Sequence, residues 1–85
     1  MRRRTGLGLV MLLAAAAPPP PGATGCSGCH GATLMPIAGH NAKDLNAALT
    51  EFQSGARPST VMERIAKGFD ARELSAIATW WAERQ

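Results

Sequence analysis

The pentapeptide CSGCH, at residues 26–30, holds both cysteines of this 85-residue chain, Cys26 and Cys29, followed directly by His30. Thiols three positions apart lie on one turn of a helix, where both can add to the vinyl groups of a porphyrin. The adjacent imidazole then reaches the iron as its proximal ligand. The pentapeptide therefore predicts one covalent haem c, attached through Cys26 and Cys29, with His30 bound to the iron.

Other uses of these residues stay open. A thioredoxin-like redox pair has the same cysteine spacing, but it expects a βαβ pattern that this sequence lacks. Cys26, Cys29, His30 and His40 supply four ligands for a structural zinc site, at a spacing unusual for one. A disulfide would close too short a loop to stabilise much. Haem attachment explains more than these three alternatives do, because an apolar macrocycle also supplies the core that so short a chain lacks.

The first 23 residues are organised as an export signal. Its basic, apolar and helix-breaking parts are Arg2–Arg4, Leu7–Ala17 and Pro18–Ala23. The apolar part has eleven residues, whereas a bilayer span needs about 20. We predict a signal peptide at 1–23, cleaved after Ala23, and a monohaem domain at 24–85 in the periplasm of a Gram-negative bacterium. An uncleaved signal would instead tether the domain to the membrane.

The distribution of charge excludes a nucleic-acid partner. The formal net charge is +3, and Arg2–Arg4 supply all of it. The remaining chain has six basic and six acidic side chains, so it has no basic patch of the kind that binds a phosphate backbone.

The iron of such a haem needs a second axial ligand, and Met35, His40 and Met62 are the candidates. Met35 follows His30 too closely to reach the opposite face easily, so packing is its expected use. His40 directly precedes a helix start, where we expect it to be solvated. Met62 follows a complete helix that can carry the chain to the distal face, and it is the favoured ligand.

Helical periodicity predicts an all-α fold, with no strand pattern anywhere. Asn41 caps a first amphipathic helix that runs to Ser54 and stops at Gly55. Its apolar face is formed by Ala42, Leu45, Leu49 and Phe52. A second helix is predicted at Thr60–Lys67, following Pro58 and Ser59. Its inward face is predicted to comprise Val61, Met62, Ile65 and Ala66.

Asp70 and Glu73 predict a capping box for the last helix. The core stripe of that helix is Leu74, Ile77, Ala78 and Trp81. Trp80 points about 100 degrees away from Trp81. Packing beside the haem or the first helix is its expected use, and exposure as a partner contact is the alternative. Arg57 and Arg64 lie either side of Met62, where they can pair with haem propionates, although solvated surface charge is the commoner fate.

These residues together carry a family resemblance. The pentapeptide, PIAG at 36–39, FQSG at 52–55 and a late methionine before an aromatic C-terminal helix resemble a class I c-type cytochrome. The stretches SGARPSTVM at 54–62 and IAKGF at 65–69 are similar to the cytochrome subunits of flavocytochrome c sulfide dehydrogenases. The resemblance implies a class I cytochrome c-like fold, with three or four short helices around one covalently bound haem.

The resemblance also implies roles for individual residues and for partners. His30 would be the proximal ligand and Met62 the distal ligand, with the Pro36 carbonyl accepting the proton of the His30 imidazole. Electrons would arrive from a flavoprotein subunit that oxidises sulfide and leave to other redox proteins. With only Thr24 and Gly25 before Cys26 after cleavage, the usual N-terminal helix would be nearly absent.

The sequence therefore predicts one-electron transfer. Catalysis on this chain is not expected, because a Met/His pair leaves no open coordination site. A free soluble periplasmic carrier is the alternative to a fixed subunit. A haem sensor or enzyme with an open coordination site is a further alternative.

Overall fold

A computed structural model describes residues 18–84 of the chain. Its elements are a 3-10 helix, Ala23–Gly28, and three α-helices: α1, Ala42–Ser54; α2, Thr60–Ala66; and α3, Ala71–Ala82. Within residues 18–84 no strand is present. The all-α prediction is thereby confirmed for the described residues.

The ends of the helices follow local sequence signals. The Asn41 side chain accepts hydrogen bonds from the backbone N–H groups of Lys43 and Asp44, which caps α1. Gly55 ends that helix at φ 86°, a left-handed conformation that favours glycine. Ser59 caps α2 by accepting from the Met62 N–H group. That helix ends at Ala66, one residue before the predicted end.

The capping box of α3 forms as predicted. The Glu73 N–H group donates to Asp70 Oδ1 at 2.8 Å, and the Asp70 N–H group donates to Glu73 Oε1 at 2.9 Å. Two donors that the helix cannot satisfy internally are therefore paired reciprocally.

The core lies where α1 packs on α3 and on α2. The buried apolar residues of the described chain are Ala23, Ala66, Leu74, Ile77 and Ala78. The predicted α3 stripe is confirmed at Leu74, Ile77 and Ala78, while Trp81 is half-buried. The Trp80 and Trp81 rings meet edge to face, with centroids 5.2 Å apart. A core with Leu74 as its largest fully buried side chain is small.

The predicted inward face of α2 is wrong at two positions. Val61 and Ile65 are 60% and 45% exposed, and Met62 is half-buried. Ala66 alone of the four is buried. The reason is that a helix buries only the side that meets a neighbour, and α2 packs on α1. The described chain supplies too little surface to cover the rest of the predicted face.

The segment before the pentapeptide also takes part in the fold. The predicted signal lies partly outside the described residues, at 1–17, and the cleavage after Ala23 stays a prediction. Ala23 is fully buried, and its carbonyl accepts a hydrogen bond from the Trp81 indole N–H at 2.9 Å. The 3-10 helix therefore contacts α3. None of the helices in residues 18–84 has the length and hydropathy of a membrane span.

Candidate functional site

The 3-10 helix sets the positions of the two cysteines. Cys26 lies within it and Cys29 caps its C-terminal end, with the Cys29 N–H group donating to the Cys26 carbonyl at 3.2 Å. The His30 N–H group donates to the same carbonyl at 2.9 Å. Both thiols are free, Cys26 half-buried and Cys29 exposed. Two thiols and an imidazole are thus held on one hydrogen-bonded turn.

The surroundings of Cys26 affect its thiol. Burial raises the pKa of the Cys26 thiol above its usual value, while a hydrogen bond from the Trp81 side chain acts in the opposite direction. Cys26 is half-buried, and this burial disfavours the charged thiolate.

His30 is oriented by the backbone that follows it. Its Nδ1 lies 2.7 Å from the Met35 carbonyl oxygen. A carbonyl oxygen only accepts, so Nδ1 carries a proton, and in the neutral imidazole Nε2 then keeps its lone pair. This is the arrangement that orients a metal-ligating histidine and raises its basicity. Nε2 is therefore the atom of His30 available to iron.

The backbone carbonyl that accepts the hydrogen bond from His30 Nδ1 differs from the one that the resemblance implied. The resemblance implied the carbonyl of Pro36, whereas the structure places the Met35 carbonyl, one residue earlier, beside His30. Met35 has a left-handed φ of 48°, which turns the chain at this point. The Gly31 N–H group donates to the Leu34 carbonyl at 2.9 Å, which closes the turn beneath it. Pro36 itself is exposed.

The three candidates for a second axial ligand differ in their surroundings. Met62 is half-buried on α2, beside the Ser59 cap. Met35 is 56% exposed, and His40 is also exposed at the entrance to α1. Of these three candidates, Met62 is the one that is both half-buried and part of a helix.

Arg57 forms an ion pair with Glu51, in which Nη2 and Oε1 are 2.8 Å apart. Its guanidinium also lies 5.4 Å from the centroid of the Phe52 ring. These contacts hold Arg57 against the end of α1. The predicted role of Arg57 toward a haem propionate stays a prediction, as does that of Arg64, which is exposed on α2.

Large apolar side chains remain exposed on the segments that carry the candidate ligands. They are Leu34, Met35, Val61 and Ile65. The first two follow His30 and the last two flank Met62 along α2. Leu34 and Met35 lie on the same segment as two free thiols and an imidazole with an available Nε2, and this set of residues fits a haem attached at Cys26 and Cys29.

The predicted alternative of a zinc site finds no support in the described geometry. Within residues 18–84, no three side chains of His, Cys, Asp or Glu come together as a metal-binding group. Cys26, Cys29, His30 and His40 are therefore not gathered as four zinc ligands. The same residues show no βαβ unit around the cysteines, which a thioredoxin-like pair expects.

Gln53 is a positioning residue that sequence reasoning did not assign. Its Nε2 donates to the Ala66 carbonyl at 3.0 Å and to the Phe69 carbonyl at 2.6 Å. One amide of α1 thus satisfies two carbonyls at the end of α2 and in the turn after it. Polar residues at the end of an amphipathic helix are usual, so no local signal distinguishes this one.

Replacing Gln53 with Met is expected to lower the free energy of unfolding of the haem-loaded protein by about 2 kcal/mol, because two part-buried carbonyls lose their donor. Chemical denaturation followed by haem absorbance measures this. As a matched control, Lys67→Met breaks the exposed 2.7 Å pair with Glu63, for which we expect less than about 0.5 kcal/mol. Equal losses for the two variants would contradict the positioning role of Gln53.

A comparison with curated proteins shows that this chain is similar to a cytochrome. The cytochrome subunit of sulfide dehydrogenase from Chlorobaculum tepidum is 39% identical to this chain over 62 residues. The match covers 66% of this chain and 56% of the relative, so the chain spans little more than half the length of that protein. No protein-family model and no solved structure matches the chain.

The helical architecture and the similarity to a cytochrome define a small protein with a class I cytochrome c-like fold. The particular protein that it resembles is a cytochrome subunit of sulfide dehydrogenase. The resemblance predicted from the sequence is thereby confirmed.

Proposed function

We propose that this protein transfers single electrons through one covalently bound haem c. The observation that carries the proposal is the 2.7 Å contact between His30 Nδ1 and the Met35 carbonyl. It leaves Nε2 free on a turn that also holds two unpaired thiols. A histidine prepared in this way next to two cysteines suits a proximal haem ligand.

A bound haem would supply the one-electron couple between ferric and ferrous iron. Cys26 and Cys29 would hold it covalently, His30 would bind the iron through Nε2, and the Met62 thioether would close the sixth position. Pairing of His with Met raises the reduction potential and leaves no open site for substrate. The role of this chain is therefore electron transfer, and its residues carry no catalytic step of their own.

We further propose that the protein works outside the cytoplasm. Residues 1–23 have the organisation of an export signal, and covalent attachment of haem c belongs to exported chains. The periplasm is the compartment that both features favour.

The proposed partner is a flavoprotein. The relative is a cytochrome subunit of sulfide dehydrogenase by name. By this resemblance, the protein would accept electrons from a flavoprotein sulfide dehydrogenase subunit and pass them to other redox proteins.

An alkaline pyridine haemochrome spectrum of the exported protein tests the cofactor, with the host supplying cytochrome c maturation machinery. The expected result is one haem per chain that resists extraction with acidified butanone. The reduced protein should bind carbon monoxide slowly, because Met62 occupies the sixth position. Rapid binding would favour a haem sensor or enzyme, and an absence of covalent haem would overturn the proposal.

Expression beside the neighbouring genes tests the partner. A fixed subunit should co-purify with a flavin-containing protein and be reduced when sulfide is added to the complex. Elution as a monomer, with no reduction by sulfide in the presence of the flavoprotein, would indicate a free soluble carrier instead.

A further inference from the structure

Trp81 contacts the chain on both sides of the pentapeptide. Its indole Nε1–H donates to the Ala23 carbonyl at 2.9 Å, ahead of Cys26. Its own carbonyl accepts from the Gly39 N–H group at 3.0 Å, beyond Pro36. One residue of α3 therefore holds both ends of residues 23–39, which we call the attachment loop.

The contacts inside the attachment loop are local. The N–H groups of Cys29 and His30 donate to the Cys26 carbonyl, and His30 Nδ1 lies beside the Met35 carbonyl. Such contacts shape the turn without fixing its position on the helices. Closing a loop has an entropic cost that contacts at its base offset, and Trp81 makes both of those contacts.

The side chain of Trp81 satisfies a buried acceptor. Ala23 is fully buried, and a buried carbonyl without a donor is costly. Trp81→Phe would keep much of the ring packing and remove the donor. The hydrogen bond is therefore separable from the packing of the helix.

The chain just before Ala23 is fitted closely to the same domain. Gly22 has a φ of 88°, and a Cβ at this position would lie 2.3 Å from Cζ of Phe69. Only glycine allows the chain to pass this close to the ring in this conformation. Residues 22 and 23 therefore belong to the folded unit.

We propose that Trp81 is a positioning residue that holds the attachment loop at Ala23 and Gly39, and that the exported protein retains Gly22 and Ala23 for this purpose. The proposal rests on the proposed function, since it is the haem-attachment segment that Trp81 positions. It departs from the cleavage after Ala23 predicted from the sequence, which would remove the acceptor of the indole N–H.

The intact mass of the exported holoprotein tests retention of the two residues. The mass of a chain that includes Gly22 and Ala23, plus one haem, supports the proposal. A chain that begins at Thr24 overturns it, because the Ala23 carbonyl is then absent. The haem count of the same sample reports separately on the proposed function.

Trp81→Phe in the full exported protein tests the positioning role, and Trp80→Phe is the matched control. Trp80 lies beside Trp81 and stacks under Arg84, whose Cζ is 3.9 Å from the ring centroid. For Trp81→Phe we expect hydrogen exchange of the amides of Cys29 and His30 to become about fivefold faster, as suits one lost hydrogen bond, while the Gly39 amide, which donates to the retained backbone carbonyl of residue 81, keeps its rate. The shifted haem-methyl resonances of the oxidised protein should also move. Trp80→Phe should leave the exchange rates and the haem-methyl resonances nearly unchanged.

Equal acceleration of exchange in the two variants would overturn the proposal, because it would indicate general packing of α3. Should Trp81→Phe fail to accumulate, Gly22→Ala provides a second variant that disturbs the same end of the loop. It is expected to accelerate exchange of the same amides, owing to the conflict with Phe69. Unchanged exchange in Gly22→Ala would also overturn the proposal, since it would place residue 22 outside the folded unit.

Discussion

Replacing both Cys26 and Cys29 with alanine is expected to give a chain that carries no covalent haem and does not keep its helical fold. In the proposed function the two thiols hold the haem covalently, so their removal would leave only axial ligation. The described core has Leu74 as its largest fully buried side chain, and three of its five buried residues are alanines. So small a core rarely stabilises a chain of this size without a covalent or metal-based addition.

Intact mass and far-ultraviolet circular dichroism measure these two effects. Ser27→Ala is the matched control, since Ser27 lies between the cysteines and is exposed, with its Oγ donating to the Thr24 carbonyl at 2.7 Å. We expect this variant to keep its haem and its helices. Haem that stays with the double cysteine variant through acidified butanone would contradict attachment at these residues.

Replacing Met62 with alanine is expected to remove the long-wavelength absorption band of a thioether–iron bond and to lower the reduction potential. Axial ligands tune haem potentials over about 0.8 V, and loss of the methionine should lower the potential by on the order of 0.1 V. Met62 is half-buried on a helix tied to α1 through Gln53. Such a held thioether is suited to a permanent ligand.

Met35→Ala is the matched control for Met62. Met35 is 56% exposed, and its contact with His30 uses its backbone carbonyl, which the substitution keeps. We expect the band and the potential to change little. Met62→His should restore a six-coordinate low-spin haem without the thioether band. A band that persists in Met62→Ala and is lost in Met35→Ala would transfer the distal role to Met35.

The helix ends could be predicted because their causes are local. Asn41, Ser59 and Asp70 each cap a helix through hydrogen bonds that reach no further than three residues. A residue at such a position needs no information about the rest of the molecule. The capping box at Asp70 and the glycine stop at Gly55 were predictable for the same reason.

Burial on α2 was harder to predict, since periodicity shows which side chains share a face but not whether anything covers that face. Val61 and Ile65 satisfy the helical pattern and are nonetheless exposed. The apolar periodicity is the same for a face that packs on a neighbouring helix and for a face that would pack on a cofactor.

The sequence by itself determined the class of fold, and it predicts the chemistry of the site. The spacing of Cys26, Cys29 and His30 carries that prediction because thiols and imidazole act through their own reactivity. The tertiary structure alone decided which carbonyl His30 meets, which carbonyls Gln53 satisfies, and that Trp81 reaches Ala23. The contact of His30 depends on the backbone angle at Met35, whereas the contacts of Gln53 and Trp81 join residues far apart in the chain. Contacts of that kind arise only when the helices pack, so no local pattern encodes them.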